Sequence, residues 1–267
     1  MNVSRLRKII EYSAVNREDI EAKVKDFYAF AELGSDNEVR NIFQIVRTSL
    51  QKKGYLVLEI PFADQEIGAL CYKGDALGYI VLNTSLPKVN VNFAACHEIY
   101  HAFFQENEFH SKIEFANDHY YEHEEEYSAN LFAGMLLMPE PGFRSMYRKF
   151  KDDSDGVELD TVIRLMNYYQ VPYMAALIRC YELGLTGTEC ISQELVNADY
   201  DRIRNRFVEL WLDESILDAT KKDDYKHLET VVNRFGNECI KSSCLNERTL
   251  RKVLQNMHTL YLDIMGE

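Results

Sequence analysis

Residues 93–104 read FAACHEIYHAFF, two histidines four positions apart with a glutamate after the first, inside an otherwise apolar run. On an α-helix His97 and His101 lie one turn apart and about 40° apart around the axis, so both rings can meet one ion. Glu98 stands about 100° further round; it is badly placed to share the ion but can reach a water bound to it. Two nitrogen ligands and a nearby carboxylate base are what HExxH spacing supplies for metal-assisted peptide hydrolysis. Two core histidines with satisfied nitrogens would give the same letters. One zinc ion also needs a third protein ligand, which must come from elsewhere in the chain.

Downstream, residues 122–143 read EHEEEYSANLFAGMLLMPEPGF. Leu131, Phe132, Met135 and Leu136 mark a second helix, and Glu126 stands at the start of its apolar portion. A carboxylate from a helix packed antiparallel to the first completes a tripod of two histidines and one glutamate. Asn130, one turn further along the same face, is placed to accept a hydrogen bond from the far ring nitrogen of His97 or His101. Glu122, Glu124 and Glu125 read as a solvated first turn favoured by the helix dipole. Should Glu126 not be the ligand, Glu125 or His123 is next.

The elements around these two helices are legible from periodicity. Residues 4–53 carry two helical stripes, one through Ile20, Val24, Phe27 and Tyr28 that stops at Gly34, the other through Val39, Ile42, Phe43, Val46 and Leu50 that closes at Gly54. YLVLEIPF, IGALCYKG and ALGYIVLN are short β-rich runs. Lys73-Gly74-Asp75 between the last two predicts a hairpin. From about residue 90 onward the chain reads helical, at 90–106, 121–137, 158–169, 172–183 and in a tail over 192–264. Residues 161–185 hold two stripes broken around Val171-Pro172, read as a helical pair on the main body and not as a DNA-reading helix-turn-helix. The weak linker GLTGTEC, residues 184–190, marks off the tail. The fold class is α+β, with a small β-sheet on a mostly helical body; the expected parts are N-terminal helices (1–54), a core (55–189) and a helical C-terminal extension (190–267).

A chain of 267 residues is long enough for a real core, and its formal charge of −13 makes nucleic acid and anionic membranes poor partners. The N-terminal stretch lacks the apolar h-region of a secretory signal, and no run approaches eighteen apolar residues. The six cysteines are scattered without a CxxC pair, and read as reduced small hydrophobes. Cys96, beside His97, points away from the ligand face. Cytoplasm is the expected compartment.

The paired motifs FAACHEIYHAFF and ExxANxFAxxLLMP, after a strand hairpin and before a short helical pair, resemble the ImmA/IrrE metallopeptidase family over roughly residues 55–185. The match is carried by Phe93, His97, Glu98, His101, Glu126, Ala129, Asn130, Phe132, Ala133, Leu136, Leu137, Met138 and Pro139. The resemblance implies a zincin-like, zinc-dependent protease of bacterial or phage type, acting on a helix-turn-helix repressor to induce genes of a mobile element or a stress response. It implies Zn2+ as cofactor, His97, His101 and Glu126 as its ligands, and Glu98 as the catalytic base. Gln105 departs from the histidine, and Tyr100 from the glycine, that relatives often carry at these positions. Tyr100 is expected to narrow the cleft. Tyr120, Tyr121, His119 and His123 are near the site in sequence, and nothing singles one out to stabilise the oxyanion. The alternative is a module that binds a repressor without cutting it, its zinc site structural.

Overall fold

A computed structural model describes residues 1–33, 41–74, 78–105, 124–156, 158–186 and 191–266, and the backbone of 109–114. A long helix opens the chain, α1 (Val3–Phe30), capped by Asn2, whose side chain accepts a hydrogen bond from the Arg5 backbone N–H. Next come α2 (Ile42–Lys52), β1 (Tyr55–Ile60), β2 (Ile67–Lys73), β3 (Gly78–Asn83), α3 (Lys88–Phe104) and β4 (Phe109–Glu114). The body is completed by α4 (Glu124–Leu137), α5 (Glu140–Asp153), α6 (Glu158–Tyr169) and α7 (Tyr173–Glu182). The extension holds α8 (Gln193–Val196), α9 (Tyr200–Glu209), a 3-10 turn at Glu214–Leu217, α10 (Tyr225–Lys241) and α11 (Glu247–Met265).

The four strands lie in the order β1-β3-β2-β4, with β1 parallel to β3 and the other pairs antiparallel. The expected hairpin is present: β2 pairs with β3 from Ala69↔Leu82 to Lys73↔Gly78. Strand β4 departs from the sequence reading, which took everything after residue 90 as helical. FHSKIE has no run of branched residues to announce it; among the described residues it is an edge strand, paired with β2 alone. Helix α5 falls between the helical spans read at 121–137 and 158–169. Pro139 is its N-cap and Pro141 lies in its first turn, where a missing N–H costs no helical hydrogen bond.

Alternation along the strands gives the sheet two apolar faces. Tyr55, Val57, Ala69, Cys71, Ile80 and Leu82 face inward to the main core. That core runs without a break through α1, the sheet, α3, α4, α6 and α7 into Leu195, Phe207 and Leu217 of the extension. Ile60, Phe62 and Val81, with the partly buried Leu58, Ile67 and Leu70, form a second cluster under Met257, Tyr261 and Ile264 of α11. The helical pair read at 161–185 appears as α6 and α7, and α7 packs against α1, α4 and α6. No described helix is long and apolar enough to cross a membrane.

Helix α3 is buried nearly all round from Val89 to Ala102, as an almost wholly apolar helix must be. Its start is held by backbone from the extension: Lys88 N–H donates to Asp218 O at 3.1 Å, and Pro87 bridges Ala219. At its other end the Lys73 ammonium of β2 donates to Gln105 O at 2.5 Å.

Candidate metal centre

Helices α3 and α4 run antiparallel, since Gln105, His101 and His97 meet Glu125, Glu126 and Asn130 in that order. The structure thereby brings together His97, His101 and Glu126, whose ligand atoms all lie within 4.8 Å of one another. The Nε2 atoms of the two histidines are 3.0 Å apart. The Glu126 carboxylate stands 3.2 Å from His97 Nε2 and 3.5 Å from His101 Nε2. A tetrahedral ion with bonds of about 2.0–2.2 Å sets its ligand atoms about 3.3–3.6 Å apart, so the three residues fit such an ion with shifts of a few tenths of an ångström. Both imidazoles are 1 % exposed while Glu126 is 23 % exposed, which leaves the carboxylate side as the way in.

Hydrogen bonds fix which ring nitrogen faces the ion. Gln105 Nε2 donates to the Glu125 carboxylate at 2.5 Å, because a carboxylate only accepts. The Gln105 Oε1 therefore accepts from His101 Nδ1–H at 3.1 Å, leaving the His101 Nε2 lone pair for a metal. Asn130 Oδ1 does the same for His97 Nδ1 at 3.0 Å. Asn130 was legible from its place one turn beyond Glu126. Gln105 was noted only as a departure from relatives, although its position one turn beyond His101 on the same helix was the available signal. Glu125 is exposed in the first turn of α4, as expected, but its hydrogen bond to Gln105 makes it more than a solvated charge. Glu122, His119, Tyr120, Tyr121 and His123 fall outside the described residues.

In the metal-free protein burial and the neighbouring His97 pull His101 down from 6.5 to about 4. Burial is also the largest influence on His97 and lowers it. Hydrogen bonding and charge from Glu126, charge from Glu98 and the bond to Asn130 together outweigh burial and leave His97 above its ordinary value.

Glu98 is fully buried, and its charge is felt at His97 and at the Tyr55 hydroxyl. Cys96 is buried in the core, where desolvation pushes its thiol up and makes it inert. Tyr100 is 7 % exposed, with its ring 5.9 Å from that of Phe132 in α4 and 5.5 Å from the Lys23 ammonium of α1. Where a glycine would leave a gap between α1, α3 and α4, the ring fills it.

A buried helix bearing HExxH under a small mixed sheet, with a glutamate from an antiparallel second helix, defines a metallopeptidase-type domain. Residues 50–181 match the family described as the IrrE N-terminal-like domain, Peptidase M78, and this segment is a domain of that family. The span overlaps most of the one over which the paired motifs show their resemblance. No curated protein matches the chain.

Proposed function

We propose that the chain is a zinc-dependent endopeptidase of the cytoplasm whose substrate is a helix-turn-helix repressor, cut to release the genes it silences. The observation that carries the peptidase reading is the cluster of His97, His101 and Glu126 beside the buried Glu98. A structural zinc site closes its fourth position with another Cys or His and has no use for that carboxylate. The repressor as substrate follows from the family resemblance. The five described cysteines, all free thiols, agree with a reducing compartment.

The residues divide the work as follows. His97 Nε2, His101 Nε2 and Glu126 would hold zinc, which when bound polarises a peptide carbonyl and lowers the pKa of water to about 7. Glu98 takes the proton from the attacking water and returns it to the leaving amine. Asn130 and Gln105 keep both imidazoles in the tautomer that presents Nε2. The apolar wall of α3 and α4 excludes competing water from the back of the site.

The test mixes zinc-loaded protein with the purified repressor encoded beside it and reads the products by mass spectrometry. Wild type is expected to give a discrete cut. Glu98→Gln should bind about one zinc per chain yet give no cut, while Glu126→Ala should lose the metal. A repressor that is captured intact by the wild-type protein would replace cleavage with binding, and hydrolysis by Glu98→Gln would remove Glu98 as base.

A further inference from the structure

Between α1, α4 and α7 lies a cavity of about 140 Å³ that the peptidase chemistry does not use. Its walls are largely apolar, with Ile9, Phe93, Leu131, Met174 and Ile178 among them. Arg179 and Glu182, the charged side chains on its wall, are closed on each other at 3.0 Å, and the Arg179 Nε is taken by Met138 O. Asn130 lines the cavity too, and its Oδ1 is the atom that holds His97. Among the described residues the Asn130 amide nitrogen has no acceptor.

Gly134 shows that the space is built into the sequence. It lies in the middle of α4, where glycine weakens a helix, and its backbone is ordinary helix. Close packing does not demand it either: a Cβ placed there would meet only Met138 Cε, at 4.0 Å. The missing side chain leaves room on the cavity wall, which Gly134 lines.

We infer that this cavity is a binding site for a small uncharged molecule, a single ring or a branched chain of about six carbons, with one hydrogen-bond acceptor directed at Asn130. The size follows from volume, since an apolar cavity of about 150 Å³ takes a molecule the size of benzene. The absence of charge follows from the self-satisfied Arg179–Glu182 pair, and the acceptor from the amide nitrogen. Because Asn130 also holds His97, the occupant and the metal are linked, and linkage is reciprocal.

Fluorine NMR titration of the metal-free full chain with fluorobenzene and 4-fluorophenol tests the site without reference to peptidase activity. Saturable binding of both is expected, with the phenol about tenfold tighter. Gly134→Leu should abolish both, and Asn130→Ala should erase the preference for the phenol while keeping fluorobenzene. If Gly134→Leu fails to fold by circular dichroism, Ala175→Leu fills the cavity from the α7 side and is expected to do the same. No saturable binding to wild type, or binding that survives a filled cavity in a folded variant, overturns the site. A zinc Kd unchanged by saturating 4-fluorophenol overturns the link to His97. Loss of repressor cleavage alone would leave both results standing.

Discussion

At the scale of single residues, the site is made less by its three convergent side chains than by the amides behind them. Glu125, Gln105 and His101 form a chain in which each hydrogen bond dictates the next, ending with the His101 Nε2 lone pair turned toward His97 and Glu126. Removing the amide should therefore cost metal and not fold: Gln105→Ala and Asn130→Ala are each expected to weaken zinc about 10–100-fold, as read by competition with a chromophoric chelator. Neither should move the unfolding midpoint of the metal-free protein by more than a few degrees. The two histidines also predict opposite pH limbs for the metal-free stability. His101 is held down to about 4, so between 6.5 and 4 the unfolded chain binds the extra proton; stability is full above 6.5 and falls as pH drops. The full limb is worth roughly 3 kcal/mol. His97 is raised, so its contribution is full below 6.5 and is lost as pH rises through its elevated value. From this pair alone the maximum lies near pH 6.5. Urea melts of the metal-free chain from pH 4 to 8 check it, and His101→Gln should flatten the acid limb.

At the scale of elements, two helical glycines make the contrast between open space and close approach. A Cβ on Gly134 meets only Met138 Cε at 4.0 Å, whereas on Gly236 of α10 it would fall 2.3 Å from Leu250 Cδ1 of α11. Gly134→Ala is therefore expected to stabilise by about 1 kcal/mol, the helix-propensity difference. Gly236→Ala is expected to destabilise by about 1–3 kcal/mol, since the Leu250 side chain or the two helices must shift. Thermal melts of both variants decide it, and a stabilised Gly236→Ala would mean the helices do not cross there. Neither glycine was distinguishable from sequence, because what separates them is a neighbour on another element. The same limit explains the rest of what was missed. Helices α3 and α4 were legible because each is a long apolar run carrying a few polar residues one turn apart, and the hairpin because KGD sits between two β-rich runs. Strand β4 was not, since FHSKIE is defined by its pairing with β2. The clustering of His97, His101 and Glu126 follows from local patterns of a related kind: HExxH is a local spacing, and Glu126 lies one turn from Asn130. The packing of Tyr100 was not legible, because Lys23 and Phe132 meet it only in the fold.

At the scale of the whole molecule, the extension is joined to the body in ways that its weak linker does not announce. Ile191, Leu195, Val196, Ile203, Phe207, Ile216 and Leu217 all belong to the main core. The strand-like stretch after the 3-10 turn adds backbone bonds to the sheet and to α3: Lys88 to Asp218, Lys221 to Thr84, and Asp224 to Glu59. The buried Glu59 carboxylate is shared by Arg47 of α2 and Lys222 of the extension, each at 2.8 Å, so three stretches of chain meet at one charge. Seven buried apolar side chains at about 1.5–3 kcal/mol each amount to roughly 10–20 kcal/mol, which matches or exceeds the whole stability of a typical domain. A chain ending at residue 189 is therefore expected to fail to fold, even though it contains the entire HExxH helix, Glu126 and Asn130. A chain ending at 224 keeps the main core and the strap at the start of α3, and uncovers only the sheet face under α11. It is expected to fold with a lowered melting temperature, to bind a hydrophobic dye at Ile60, Phe62 and Val81, and to take up one zinc. Circular dichroism, dye fluorescence and zinc stoichiometry on the two truncations separate these outcomes. A cooperative melt at the wild-type temperature from the shorter chain would show that 190–267 is an appendage, and that the core it enters is complete without it.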